Sequence, residues 1–100
     1  MSKSLIVVAG DCGVYVGYAD NGVHAVTDAG RVTLTGARHL RRYYVAGRTG
    51  DGSATDLAAR GMDPTSPSVS DVLDGETVLI GVHRAFAVVD RVVASFGCPQ

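Results

Sequence analysis

The sequence predicts a β-rich α+β fold, in which an antiparallel meander forms a small sheet or partial barrel with one or two short helices. Short runs of β-branched and aromatic residues recur along the chain, as is typical of strands. Turn-forming pairs such as Asn21-Gly22 separate several of these runs. Helices are favoured in two short stretches, residues 53–61 and 91–96.

The length and composition of the chain further limit the expected number of domains and the classes of partner. A chain of 100 residues has the usual size of one domain, so we expect a single domain over residues 1–100. Its 46% hydrophobic content and formal net charge of -1 are ordinary for a folded protein, which makes a nucleic acid an unexpected partner. The apolar run 5–9 is too short for a signal peptide or a membrane span. We therefore expect a cytoplasmic protein without membrane contact.

The first two strands follow from local pattern. Residues 5–9 form a continuous apolar run, which predicts a central strand buried on both faces. In residues 14–18 the apolar side chains alternate, so Val14, Val16 and Tyr18 are expected on one face. Gly17 interrupts this second strand and indicates a bulge or a close backbone approach.

The next segment predicts a hairpin and a third strand. Asn21-Gly22 is the strongest short hairpin signal, because both central positions of a type I′ turn need a positive φ. Residues 24–27 are then the expected return strand, and residues 31–35 the third strand.

Residues 37–45 fit either a strand or a helix. As a helix, they would separate Ala37, Leu40 and Tyr44 from the arginines. We favour a strand that continues past a bulge at Gly36 and forms an edge of the sheet. Its arginines would then discourage aggregation through that edge.

A Gly-rich loop at residues 47–52 leads into the predicted helix. Ser53 is a good N-cap with Asp56 three positions on, and Gly61 is expected to end the helix in the left-handed conformation. Prolines make residues 63–68 an extended crossing segment.

The last third predicts a strand at residues 77–80 and leaves residues 85–96 open to two interpretations. Helical spacing fits the apolar residues throughout, yet residues 85–89 also suit a strand. Asp90 is a natural N-cap, which favours a strand to Val89 and a terminal helix over 91–96. The expected core comprises Leu5, Ile6, Val7, Val14, Val16, Val32, Leu34, Leu57, Val78, Ile80 and Phe86.

The order of several short motifs resembles a known family. The motifs are residues 13–17, residues 32–38 leading to Arg41-Arg42-Tyr43, and residues 49–53 followed by 56–61. Together they look like a family of small uncharacterised proteins from tailed bacteriophages and prophages, and the likeness covers nearly the whole chain. The resemblance implies a phage context, and hence the host cytoplasm, but no particular activity.

The best candidates for a binding role lie between residues 38 and 53. Arginine forks pair with phosphates and carboxylates, and neighbouring tyrosines add stacking area. The loop that follows could direct backbone N–H groups at an anion. The alternatives are an edge strand whose arginines pair with acids of the same chain, and a plain flexible turn. The candidate residues are Arg38, Arg41, Arg42, Tyr43, Tyr44, Arg48, Gly50, Gly52 and Ser53.

No residue set indicates catalysis, a metal or a cofactor. The histidines, at positions 24, 39 and 83, have no carboxylate or thiol at ligand spacing. Two cysteines form neither a disulfide framework nor a zinc set. Cys12 lies in a turn and Ser53 already serves as a cap, so neither is the expected nucleophile. We therefore expect a protein that is not an enzyme.

Charge segregation suggests association. Residues 31–48 hold five arginines and no acid, whereas residues 49–76 hold six acids and one arginine, a net of -5. This pattern suits internal pairing or a homo-oligomer. We expect a non-enzymatic phage or prophage accessory protein that binds a host protein or protein complex. The most specific form of this hypothesis is an inhibitor of bacterial antiviral defence. The alternatives are an oligomer that sequesters a nucleotide or other small anionic ligand, and a minor virion component.

Overall fold

The computed structural model describes residues 3–48 and 53–99 and confirms the predicted β-rich α+β class. One α-helix, α1, spans Ala54–Arg60. The described strands are β1 (Lys3–Gly10), β2 (Gly13–Asp20), β3 (Val32–Arg42), β4 (Ser68–Val69), β5 (Glu76–Leu79) and β6 (Val82–Ala87). Short 3₁₀ segments cover Gly22–Ala25, Ala46–Arg48 and Asp90–Phe96. Among the described residues, no helix has the length and apolar character needed to cross a membrane.

All described strand pairs are antiparallel, and the main order is β4-β3-β2-β1-β6. The first half of β3 also pairs with β5, from Val32 opposite Leu79 to Thr35 opposite Glu76. The strand interpretation of residues 37–45 is confirmed as far as Arg42. The prediction that this strand is an edge was wrong, because β3 has β2 on one side and both β4 and β5 on the other.

The sheet must curl, because its two outer strands are joined by only two residues. β5 and β6 lie at opposite ends of the order β5-β3-β2-β1-β6, yet Ile80-Gly81 alone connect them. Five flat strands would hold their outer members about 19 Å apart. The link from Leu79 to Val82 spans at most about 11 Å. An open, strongly curled sheet satisfies both constraints.

Two apolar clusters occupy the two faces of this sheet. β1 contributes to both, with Leu5 and Val7 on one side and Ile6 and Val8 on the other, which confirms a strand buried on both faces. The first core also takes in Leu57 and Ala58 of α1 and Phe96 of the last 3₁₀ helix, together with Leu40, Val45 and Met62. The second core contains Ala19, Val32, Leu34, Ala37 and Leu79.

The predicted irregularities in β2 and β3 are confirmed. Between the pairs Val16–Arg38 and Tyr18–Thr35, β3 advances one residue more than β2, which is a bulge at Gly36. A Cβ at Gly17 would lie only 3.0 Å from the Leu34 Cβ and 3.1 Å from the Ala37 Cβ. The absence of a side chain at Gly17 therefore allows the two strands to approach.

The predicted return strand at residues 24–27 was wrong. Asn21 and Gly22 do have positive φ values of 66° and 58°, as a type I′ turn requires. However, Gly22–Ala25 is a 3₁₀ helix, and β2 pairs with β3. Val23, Ala25 and Val26 pack against the second core, so burial inside the curled sheet outweighs their strand propensity.

Helix α1 begins as predicted and ends differently. The Ser53 Oγ accepts a hydrogen bond from the Asp56 N–H at 3.2 Å, which confirms the N-cap. Gly61 has the expected positive φ of 91°, but its ψ of 177° is extended, so the left-handed helical cap was wrong. The extended conformation directs the chain into an antiparallel bridge between Val45 and Met62.

The C-terminal segment divides into a strand and a helix, as favoured. β6 ends at Ala87, and Asp90–Phe96 is a 3₁₀ helix whose Phe96 is fully buried. The prediction that Asp90 is the N-cap was wrong, because Val89 occupies that position and Asp90 begins the helix.

Two members of the expected core were also wrong. Val78 is 49% exposed and Ile80 is 66% exposed. Leu79 takes the inward position on β5, so Val78 faces outward by strand alternation, and Ile80 lies in the turn to β6. Val14 and Phe86 are partly buried and pack against the first core.

Candidate binding surface at the end of β3

Arg38 is held by the fold. Its Nε donates to the Ser70 carbonyl oxygen at 3.0 Å, and its Nη1 donates to the Phe96 carbonyl oxygen at 2.7 Å. These bonds join β3 to segments that lie 32 and 58 residues further along the chain. The sequence grouped Arg38 with the other arginines, but its half-buried guanidinium is already engaged by main-chain acceptors.

Arg41 and Arg42 are exposed at the end of the same strand. The Arg41 Nε donates to the Ser68 Oγ at 3.1 Å, which steadies the side chain. The Arg42 side chain makes no hydrogen bond or ion pair to residues 3–48 and 53–99. Between the pairs Leu40–Val69 and Arg42–Ser68, β3 advances two residues and β4 only one, so a bulge at Arg41 interrupts the strict alternation of side chains.

The two tyrosines that follow have different environments. Tyr43 is partly buried against the first core, whereas Tyr44 is 39% exposed. The Tyr44 N–H donates to the Ser66 Oγ at 2.9 Å, and its carbonyl accepts from the Asp63 N–H at 2.8 Å. The backbone that carries the exposed ring is therefore fixed. We call Arg41, Arg42 and Tyr44 the β3-end surface.

A stacked aromatic pair beside this surface was missed by the sequence reasoning. Tyr15 and His39 are directly opposite on β2 and β3, with ring centroids 4.3 Å apart and planes 5° from parallel. Partial burial, and then the positive charge of Arg41, lower the pKa of His39. No local sequence signal could have paired these rings, because their partnership depends on the register between two strands.

The Gly-rich loop contributes less to the described site. Gly50 and Gly52 lie outside the described residues, and only the backbone of Arg48 is described. Ser53 is engaged as the N-cap of α1. The arrangement of this loop as an anion site stays a prediction.

The arginines of β3 form no ion pair with the acids that the structure describes. Among residues 3–48 and 53–99, Arg38, Arg41 and Arg42 form no ion pair with an acid, and the ion pair found there joins the His83 Nε2 to the Asp11 Oδ1 at 2.8 Å. Pairing of these arginines with the acidic loop stays an open alternative, because Asp51 of that loop lies outside the described residues. The side chains of Arg38 and Arg41 donate hydrogen bonds to carbonyl and hydroxyl oxygens in the described part of the chain.

Groups that could support chemistry include Asp11 and His83, which form an ion pair, and the two free cysteines. Within the described part of the chain, no three histidine, cysteine, aspartate or glutamate side chains are placed to hold a metal ion. Cys12 is exposed with its Sγ 3.7 Å from the Ile80 carbonyl oxygen. Burial raises the pKa of Cys98 to about 11, although the nearby Arg38 charge opposes this shift. A thiol with so high a pKa is a poor nucleophile near neutral pH.

Among the surface depressions lined by described residues, four have volumes of about 270 to 370 Å³. One includes Arg38 together with Met62, Asp63 and Ser95. Arg41, Arg42 and Tyr44 line none of these four.

Comparison with protein-family models, with curated proteins and with solved structures found no match.

Proposed function

We propose that this protein is a non-enzymatic binding protein that recognises an acidic surface of another protein through Arg41, Arg42 and Tyr44. The single observation that carries the proposal is the exposure of these side chains on a fixed backbone. In the context that the motif resemblance implies, the protein is a phage accessory factor and its partner is a host protein or protein complex. The most specific form of this proposal is an inhibitor of antiviral defence.

Preorganisation supports a recognition role. Binding costs less when the contacting groups are ordered beforehand. The bond from Arg41 to Ser68 and the two main-chain bonds at Tyr44 supply that order. Arginine and tyrosine are also the residue types that most often dominate protein interfaces.

Charge explains why the partner should be acidic. Arg42 has no acidic partner in the described part of the chain, and Arg41 bonds only to a neutral hydroxyl there. Both guanidinium groups thus keep donors for carboxylates of another molecule. Complementary charge raises the association rate and excludes like-charged partners.

The test compares two double variants of equal charge change. Arg41→Glu with Arg42→Glu reverses the β3-end surface, and Arg84→Glu with Arg91→Glu reverses two exposed arginines elsewhere. Immobilised wild-type protein and both variants are exposed to bacterial cell extract, and captured proteins are compared by mass spectrometry. We expect a partner that the wild type and the Arg84/Arg91 variant retain and the Arg41/Arg42 variant loses.

The same experiment has clear contrary outcomes. A partner retained by the Arg41/Arg42 variant would contradict the proposal. A nucleotide could instead raise the melting temperature of the wild type but not of the Arg41→Glu, Arg42→Glu variant. That result would favour sequestration of a small anion, since a ligand at a hundredfold excess over its dissociation constant stabilises the folded protein by about 2.7 kcal/mol.

A further inference from the structure

We propose that the groove beside Arg38 binds a small monocarboxylate, with the carboxylate at the guanidinium group and an apolar body against the groove walls. This goes beyond the proposed function, because the groove is lined by none of the residues of the β3-end surface.

The groove lies between the segment that follows α1 and the end of the last 3₁₀ helix. Its volume is about 370 Å³, within the range of about 300 to 1,000 Å³ that is usual for small-molecule sites. Its apolar lining residues are Met62, Pro64, Pro67, Val69 and Ala94. These residues offer contact area to the apolar part of a small ligand.

Arg38 is the cation in the described lining of this groove. Its Nε and Nη1 donate to the carbonyl oxygens of Ser70 and Phe96, which fix the position of the guanidinium group. These acceptors are neutral, and no acid of residues 3–48 and 53–99 forms an ion pair with Arg38. The Nη2 group makes no hydrogen bond to those residues either. A half-buried positive charge with unused donors favours an anionic ligand.

Gly97 keeps one side of the guanidinium group uncovered. This residue lines the groove and has a φ of 65°, which favours glycine. A Cβ at Gly97 would lie only 2.8 Å from the Arg38 Nη1. A larger residue at this position would therefore press on the guanidinium group, whereas glycine leaves room beside it.

The charges of the lining suit a singly charged anion. Asp63 also lines the groove, and its Oδ1 accepts a hydrogen bond from the Thr65 N–H at 2.8 Å. A phosphate monoester carries about 1.5 to 2 negative charges near neutral pH, which one guanidinium group beside a carboxylate cannot balance. A carboxylate carries one negative charge and accepts hydrogen bonds from guanidinium donors. The geometry and charge together favour a monocarboxylate.

Nuclear magnetic resonance of the ¹⁵N-labelled full chain, titrated with benzoate at pH 7, tests the site. We expect saturable shifts that are largest at the N–H groups of Ser95 and Gly97, which line the groove. Benzamide has nearly the same shape without the charge and should cause no saturable shift. Phenyl phosphate should bind about tenfold more weakly than benzoate.

Two tryptophan variants locate the ligand without removing the hydrogen bonds of Arg38. Ala94→Trp places an indole ring in the groove and should weaken benzoate binding about tenfold. Ala29→Trp is the matched control, since Ala29 is exposed in a turn outside this groove, and it should bind benzoate like the wild type. Arg41→Glu with Arg42→Glu should also bind benzoate normally, which separates failure of this proposal from failure of the binding function.

Four results would overturn the proposal. The first is an absence of saturable shifts at the highest soluble benzoate concentration, and the second is equal binding of benzamide. The third is wild-type affinity of the Ala94→Trp variant for benzoate. The fourth is tighter binding of phenyl phosphate than of benzoate, which would contradict the monocarboxylate class.

Discussion

Arg38 should be the arginine on which stability depends, although Arg42 is of the same type and lies in the same strand. We propose to compare Arg38→Met with Arg42→Met. Methionine keeps most of the unbranched stem and removes the guanidinium group, so the comparison isolates the hydrogen bonds. The Arg38 guanidinium donates to the carbonyl oxygens of Ser70 and Phe96, while the Arg42 side chain is exposed and makes no hydrogen bond to the described residues.

The magnitude follows from those two bonds. A hydrogen bond from a charged group contributes about 1.5 to 3 kcal/mol, so two bonds contribute about 3 to 6 kcal/mol at most. Arg38 is only half-buried, so water can reach the freed carbonyls and reduce the loss. We expect Arg38→Met to lower the free energy of unfolding by about 2 to 4 kcal/mol, against a total of about 5 to 15 kcal/mol for a small domain.

Urea denaturation followed by far-ultraviolet circular dichroism measures the difference. With a slope of about 1.5 kcal/mol/M, a loss of about 3 kcal/mol lowers the unfolding midpoint by about 2 M. Arg42→Met should unfold within about 0.5 kcal/mol of the wild type, as surface substitutions usually do. If the two variants unfold at the same urea concentration, the bonds of Arg38 contribute nothing and the reasoning fails.

Three further predictions follow from packing and titration. Leu34→Ala should lower the free energy of unfolding by about 2 to 5 kcal/mol, because Leu34 is fully buried in the second core. In the same urea assay, Val78→Ala should lower it by less than about 1 kcal/mol, because Val78 is 49% exposed. Similar decreases for the two variants would contradict the core assignment. Gly17→Ala should destabilise, since its Cβ would lie 3.0 Å from Leu34, and an unchanged melting temperature would refute the close approach. Burial keeps Cys98 neutral by raising its pKa from 9.0 to about 11, so the stability that it contributes is present below pH 9.0 and lost as the pH approaches 11. In the folded protein at pH 8, iodoacetamide should modify the exposed Cys12 well before Cys98. Equal rates of modification of the two cysteines, measured by mass spectrometry, would argue against this burial.

Local signals in the sequence were sufficient for several elements. Ser53 caps α1, Gly36 marks a bulge and residues 5–9 form a strand buried on both faces, all as predicted. Each of these features depends on residues within one element or its immediate neighbours. Capping, bulge formation and burial of a continuous apolar run act over a few residues, so local pattern records them.

The tertiary structure decided what depends on partners distant in the chain. Residues 24–27 have strand character, but the curled sheet buries Val23, Ala25 and Val26 against the second core instead of pairing them. The stack of Tyr15 on His39 and the bonds of Arg38 depend on register and on the path of the C-terminal segment. The candidate site changed for the same reason: of the arginines predicted to act together on β3, one is engaged by main-chain carbonyls and two remain exposed. The sequence specifies the type of each side chain. The hydrogen-bond acceptors that reach it depend on contacts between segments that only folding brings together.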